Sequence, residues 1–419
     1  MRNVAVDLAH IRKVVKEAEE ALGPVEHAGI LPADTYTDAN FWEFERQSIF
    51  AKEWLCVAHV NEVPRSGDYL PITVQGEPVV VVRDEAGTVR VLSAVCQHRG
   101  HPLVGGVKEM PPAGRCLNAR ALVCPYHAWT YNLDGKLRGA PSMEHVPLAE
   151  LQARNSLPEI RSEIFHGLVF VTFSEDVAPV AEKLAKLDEE FRTYSLAELQ
   201  PGRAYSLTDL QWNWKLHHEN ALESYHTSYV HRGYHDAVPA KLTRFYDLDP
   251  AEGMVFRTTG FEAADGDLFE SEGTRRLPSI PTLTDEQKGR VMFVSVMPCL
   301  VMVMQPSLVS VTFLNPTSAG TLNSRRVNLY PKAAAEAPDF EQLETDQFDK
   351  MKTIVAQDAV TQIALQGAYH SRHKPRGRLS YLEGAIAQLN QWSVHRYRRQ
   401  LDALEPHGGE KRASADLAA

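Results

Sequence analysis

The sequence predicts an α+β chain, and three observations carry that reading. Residues from about Trp54 to Phe173 form short apolar runs broken by turn residues, the pattern of an all-β region. Val291 to Pro316 is dense in β-branched and large apolar residues and reads as sheet. Phe340 to Gly367 reads as one long helix, with Leu343, Met351, Ile354 and Val355 on a shared face.

In the first region, the runs Val79-Val80-Val81-Val82 and Val89-Arg90-Val91-Leu92 flank turn residues Asp84 to Gly87. Asp134-Gly135 stands in the same way between Tyr131-Asn132 and Lys136-Leu137. From Pro179 onward helical pieces alternate with longer strands, and Leu207 to Tyr229 reads as partly helical. At the N-terminus Val4, Leu8, Ile11, Val15, Ala18 and Leu22 fall on one helical face. There is no internal repeat, and the tail 406–419, rich in small and charged residues, reads as disordered.

Composition narrows the function classes. A chain of 419 residues accommodates two domains, or one large domain with a smaller one inserted. The net charge of −10 argues against nucleic acid or an anionic membrane surface as partner. Met1 to Gly23 is charged throughout and has no apolar core of the signal-peptide type, so a cytoplasmic location is expected. The most apolar stretch, Val291 to Met304, is interrupted by Ser295 and Pro298 and falls short of the ~20 residues that span a bilayer. Five cysteines, Cys56, Cys96, Cys116, Cys124 and Cys299, are too few and odd in number for a disulfide framework. Reduced thiols are expected, and those with histidine neighbours become candidate metal ligands.

Two such constellations stand out. Cys96-Gln97-His98-Arg99-Gly100 and Cys124-Pro125-Tyr126-His127-Ala128-Trp129 form a C-x-H … C-x-x-H pair, each half following a β-type run. Two thiolates and two imidazoles could bind a single structural zinc. They could equally hold a [2Fe–2S] cluster in which two histidines replace two cysteines on one iron. Further along, Asn213 to His231 is dense in ligand-type side chains. Glu223 and His226 are three apart and would share a helical face. His231, five beyond His226, would join them only if the helix ends or distorts, which Gly233 permits. Two histidines need a carboxylate to complete a facial triad on iron(II). Asp358 falls on the buried stripe of the long helix with Met351, Ile354 and Val355, where a carboxylate is costly unless paired or metal-bound. Asp346 and Asp349 fit that stripe less well. Bound to a buried Arg or Lys instead, Asp358 would be structural.

The Arg-Gly after His98 and the Trp after His127 resemble the Rieske signature. The run N-W-K … E-N … E-x-Y-H-x4-H resembles the catalytic domain of Rieske non-haem iron oxygenase α subunits, the aromatic-ring-hydroxylating dioxygenase family. The resemblance extends from Phe41 to about Tyr397. It implies an all-β Rieske [2Fe–2S] domain inserted in a helix-grip catalytic domain: 1–50 an N-terminal helical segment packing with the catalytic domain, 51–173 the Rieske domain, 174–405 the mononuclear iron domain. It implies that Cys96 and Cys124 bind one cluster iron and His98 and His127 the other, with Trp129 shielding the cluster. It also implies that His226, His231 and Asp358 hold Fe(II), with Gln357-Asp358 and Gln366-Gly367 matching the family's ligand region. The 25 residues between His98 and Cys124 exceed the family's usual spacing, and Gly105-Gly106 and Pro111-Pro112 suit a surface loop there, with Cys116 a non-ligand.

The family further implies a homotrimer in which Glu223 links His226 to His127 of the partner subunit. Glutamate at that position favours α3 over α3β3. No G-x-G-x-x-G follows a strand, so electrons from NAD(P)H are expected through a separate reductase, with or without a ferredoxin. His217, His218 and His235 are expected beside the iron or on the surface, Glu219 and Asn220 in contact with its ligands, and Tyr225 in packing. Strands Phe256 to Phe261 and Val291 to Phe313 and the helix around Leu222 should line the pocket, with Met292, Phe293, Met297, Met302 and Met304 making it apolar. The expected substrate is an aromatic or heteroaromatic ring bearing a carboxylate, as in aromatic hydrocarbon catabolism. An N-methyl or quaternary ammonium compound undergoing monooxygenation and demethylation is the alternative. A pure electron-transfer protein would lack His226, His231 or Asp358, and all three are present.

Overall fold

The computed structural model describes residues 6–104, 114–115, 120–231, 234–262 and 277–404. Val4, Cys116, Gly233, the glycine and proline pairs after His98 and the tail 406–419 lie outside these. The paired valine runs form a hairpin of antiparallel strands Glu77–Arg83 and Val89–Ser93. Asp84 builds its turn, the carboxylate accepting from the Ala86 and Thr88 N–H groups at 2.9 and 2.8 Å. Thr130–Asn132 and Leu137–Gly139 form the second hairpin. Gly135 there has φ +86°, and a Cβ would lie 3.1 Å from the Leu157 carbonyl oxygen, so the turn demands glycine. These elements build a four-stranded sheet with Asp68–Val74 and Gly114–Arg115, and a three-stranded sheet with Ala121–Val123. A third small sheet joins Leu55–His59, Leu168–Val171 and Ser162–Phe165.

The remainder is dominated by one seven-stranded antiparallel sheet. Its order is Gln200–Leu210, Thr321–Tyr330, Val309–Ser318, Leu300–Met304, Arg290–Val296, Met254–Gly260 and Thr243–Phe245. The apolar stretch expected as sheet therefore forms three strands. Successive side chains point to opposite faces. Met292, Met302 and Met304 turn to one face and pack with Leu184 and Phe191. Phe293, Val301 and Val303 turn to the other, where the helix Trp214–Leu222 and the long helix Phe340–Tyr369 lie over them. Leu207 to Tyr229 divides into the end of a strand, that first helix and the short helix Thr227–Val230.

The N-terminal helix Leu8–Glu20 buries Ile11, Val14, Val15 and Ala18 against the last helix, Gly384–Leu404, where Arg398 pairs with Glu19. Beneath the first catalytic helix lies a dry ion pair. Lys215 Nζ donates to Glu45 at 2.7 Å and to the Thr35 carbonyl at 2.7 Å, and both charged side chains are wholly buried. Tyr397 and Trp214 also donate to Glu45. Removing one partner of such a pair strands the other charge. Lys215→Met is expected to cost about 3–5 kcal/mol, a fall of roughly 3–6 °C in the unfolding midpoint of a chain this long. An unchanged midpoint in calorimetry would contradict the assignment. Cys56, Cys96, Cys124 and Cys299 are free and buried. Among the described residues no helix is long and apolar enough to cross a membrane.

Candidate metal centres

At the tips of two turns, the structure brings Cys96, His98, Cys124 and His127 together. One turn is closed by Gly100 N–H to the Cys96 carbonyl at 3.0 Å, the other by Ala128 N–H to the Cys124 carbonyl at 3.0 Å. Each turn buries its cysteine, 2% exposed in both cases, and leaves its histidine at the surface. The His98 and His127 rings are 4.8 Å apart, and the buried Trp129 ring stacks beneath His98 at 4.6 Å. Tyr131 Oη lies 3.2 Å from Cys96 Sγ and accepts from the Gln97 N–H at 3.0 Å. The two thiols are buried together and the two imidazoles stand together at the surface, a division into pairs that suits two metals with two ligands each.

The second centre is tighter. His226 Nε2, His231 Nε2 and Asp358 Oδ1 form a triangle with edges of 3.3, 3.6 and 2.9 Å. Ligands about 2.1 Å from one ion and at right angles to each other stand about 3 Å apart, so the triangle matches one face of an octahedron. Backing acceptors set both ring tautomers. His226 Nδ1 meets the Glu223 carboxylate, and His231 Nδ1 lies 2.8 Å from Gln357 Oε1. Those acceptors hold the Nδ1 protons and leave both Nε2 lone pairs facing a carboxylate, a donor set that calls for a cation. Burial opposes charge on His231, yet the hydrogen bonds to Asp358 and Gln357 outweigh it and raise its pKa. Asn220 Nδ2 donates to Asp358 Oδ1 at 3.2 Å.

Glu223 and His226 do not share a helix. The helix ends at Leu222, and Glu223 is extended, with φ −119° and ψ 158°. Its carboxylate instead caps the next turn, accepting from the Tyr225 and His226 N–H groups, which brings it to the His226 ring. Arg257 holds the helix end in place, donating to the Ala221 and Glu223 carbonyls at 3.2 and 2.9 Å while its guanidinium stacks on Phe293 at 3.8 Å. His231 reaches the site because the short helix stops there, at φ −111° and ψ 69°.

Several expected placements change. His218 is a core residue, bonded to Ser295 Oγ and the Pro298 carbonyl, both at 2.9 Å, and burial lowers its pKa to about 4. Glu219 faces away from the centre toward Tyr36 Oη at 2.6 Å, and burial raises its pKa to about 7. His217 lines the cavity described below, where burial lowers its pKa to about 3. His235 bonds Thr227 at 3.2 Å. Tyr225 is not packed in the core: it is 48% exposed, and its ring meets the exposed Tyr229 ring edge-on. Sequence reasoning named Gln357 beside the ligand without giving it a role, and overlooked Arg257. Gln357 adjoins Asp358, one residue round the helix, and that adjacency was the available signal.

The triad opens on a cavity of about 310 Å³ between the sheet and the two helices. The expected strands do contribute, through Arg257, Phe293, Val301 and Val303, but Tyr205 and Arg326 come from two strands not anticipated. Of the five residues expected to make the pocket apolar, Phe293 alone lines it, because the methionines belong to the opposite face of the sheet or to the core.

Comparisons with known proteins agree with this geometry. Residues 53–152 match the Rieske [2Fe–2S] domain, and residues 196–399 match the ring hydroxylating alpha subunit (catalytic domain). The chain belongs to the Rieske non-haem iron oxygenase alpha subunits, which pair a [2Fe–2S] cluster with a mononuclear iron. It is 33% identical over 226 residues to the carnitine monooxygenase oxygenase subunit of Acinetobacter pittii (strain PHEA-2), a match over 54% of this chain and 58% of that protein. The chain thus spans a little over half the length of that curated relative. A quaternary ammonium Rieske monooxygenase of known structure superposes with a TM-score of 0.73 at 24% identity, over 91% of this chain and 97% of that one. Naphthalene 1,2-dioxygenase from Rhodococcus sp. superposes with a TM-score of 0.76 at 20% identity, over 96% and 100%. At these identities the structural likeness concerns the fold.

Proposed function

We propose that the chain is a terminal oxygenase component that uses O2 and electrons from NAD(P)H, delivered by a separate reductase with or without a ferredoxin, to oxygenate a small organic substrate. The observation that carries this is the opening of the His226–His231–Asp358 triangle onto a cavity between the sheet and the two helices. Those three residues would hold Fe(II), and Cys96, Cys124, His98 and His127 the cluster. Together the two groups would supply one-electron delivery and O2 activation. The protein's own contribution is to fix the ring tautomers through Glu223 and Gln357 and to orient Asp358 through Asn220.

For the substrate, the similarity to a carnitine monooxygenase subunit supports an N-methyl or quaternary ammonium compound, undergoing hydroxylation and demethylation. Rings such as Tyr205, Trp212 and Tyr234 on the cavity wall suit such a head group. The aromatic-ring reading is favoured by one observation, the apolar strip of Val301, Val303, Met351, Ile354 and Val355. The surface position of His98 and His127 supports assembly as α3, with the cluster of one subunit facing the iron of the next.

Purified protein should be red-brown, contain acid-labile sulfide, and consume O2 with a generic reductase only when substrate is added. Cys124→Ala and His98→Cys should abolish the colour. A colourless, zinc-containing protein without sulfide would overturn the reading.

A further inference from the structure

Charge in the cavity is lopsided among the described residues. Its lining includes Arg257, Arg326 and the exposed Lys352, and the one acid among the described lining residues, Asp358, belongs to the metal triangle. Arg257 is committed to backbone carbonyls and to Thr259 Oγ1 at 2.8 Å. Arg326 is not so committed. It lies on the strand Thr321–Tyr330, with Tyr205 and Thr312 as its neighbours on either side. Its Nε donates to Thr312 Oγ1 at 2.9 Å. Among the described residues its terminal nitrogens have no hydrogen-bond acceptor and no carboxylate within ion-pair distance. Burial pulls its pKa down to about 10 and the field of Asp358 opposes that, so the group stays cationic at neutral pH.

A second polar residue, in the turn just past another strand, points the same way. Gln305 is wholly buried, lines the same cavity, and has neither amide atom bonded. It directly follows the strand Leu300–Met304, four residues beyond Val301, the neighbour of Thr312, so it stands about 13 Å further on at ~3.3 Å per residue. A floor that keeps a free guanidinium and, well apart from it, a free buried amide is built for a ligand with polar atoms, not for a bare hydrocarbon.

We propose that Arg326 is the residue that selects the substrate, pairing through its terminal nitrogens with a carboxylate that every good substrate carries. This rests on the oxygenase reading and deepens it. A fork of N–H donors matches the two oxygens of a carboxylate. The pairing anchors the acid end at the sheet and leaves the rest of the molecule to reach toward the triangle. A quaternary ammonium compound lacking an acid group would meet mainly like charge.

Binding to the purified protein, read by calorimetry without reductase, tests this on matched pairs: L-carnitine against its methyl ester, benzoate against benzamide, and further small acids against their esters or amides. At least one acid should bind where its neutral partner does not. Arg326→Gln should weaken that acid about ten- to a hundredfold while leaving metal content and unfolding midpoint unchanged. Arg326→Lys should restore part of the loss, since the charge returns without the fork. If no acid outbinds its neutral partner, or if the preference survives Arg326→Gln, the assignment is overturned. Because O2 uptake is measured separately, binding of an acid without turnover would count against the oxygenase reading and leave Arg326 in place. Turnover of neutral compounds alone would do the reverse.

Discussion

Asp358→Ala is expected to leave the red-brown chromophore intact, remove the additional iron and reduce substrate-dependent O2 uptake to background. Asp358 supplies the one carboxylate oxygen of the triangle and stands 2.9 Å from His231 Nε2. Without it two imidazoles remain, and two neutral ligands neither balance the charge of Fe(II) nor define a face. The substitution lies on the helix Phe340–Tyr369 at a partly exposed position, so the fold should survive. Asn220→Ala, which removes only the 3.2 Å bond to Asp358, should be milder, roughly 10–100-fold in activity or metal affinity. Metal analysis beside the visible spectrum checks both. Full iron and activity in Asp358→Ala would remove it from the centre.

Glu223→Gln should keep both metal centres occupied and the chromophore reducible, yet slow its reoxidation with substrate and O2 by about 10–100-fold or more. Glu223 is 8% exposed, and its carboxylate meets the His226 ring while capping two backbone N–H groups. Glutamine preserves the size and one acceptor, so the turn should hold. What is lost is the negative charge behind His226, which orients the ring and makes its Nε2 a stronger donor. Rapid mixing separates the possibilities, because a residue that merely capped a turn would leave the reoxidation rate unchanged on this substitution.

Much of the candidate chemistry was legible in the sequence because ligand atoms are residue types at short spacings. C-x-H, C-x-x-H and H-x4-H each lie within one turn of chain, and local geometry carries them. Asp358 was legible because a helical stripe can be counted. Spacing set Glu223 beside His226 through a shared helix that the structure does not form, since spacing alone cannot say where a helix ends. The cavity was mostly illegible. Its walls come from strands far apart in sequence, and an apolar strand does not reveal which of its faces meets the helices. Met302 and Val303 illustrate this: they are adjacent, with Val303 on the cavity wall and the methionine in the opposite core.

Arg325 and Arg326 are neighbours on one strand and point to opposite sides of the sheet. Arg325 pairs with Glu62 and donates to the Val57 carbonyl at 2.8 Å, tying the sheet to the segment that enters the cluster-bearing region. Arg326 faces the cavity. The strand therefore obeys a parity rule. Sliding it by one residue would turn each guanidinium to the opposite face, sending Arg325 to the cavity side and taking Arg326 away from it. A one-residue length change in the hairpin Val309–Ser318 and Thr321–Tyr330 should thus disturb both sites unless a bulge absorbs it, as the irregularity between Pro316 and Ser318 already does, while paired changes should be better tolerated.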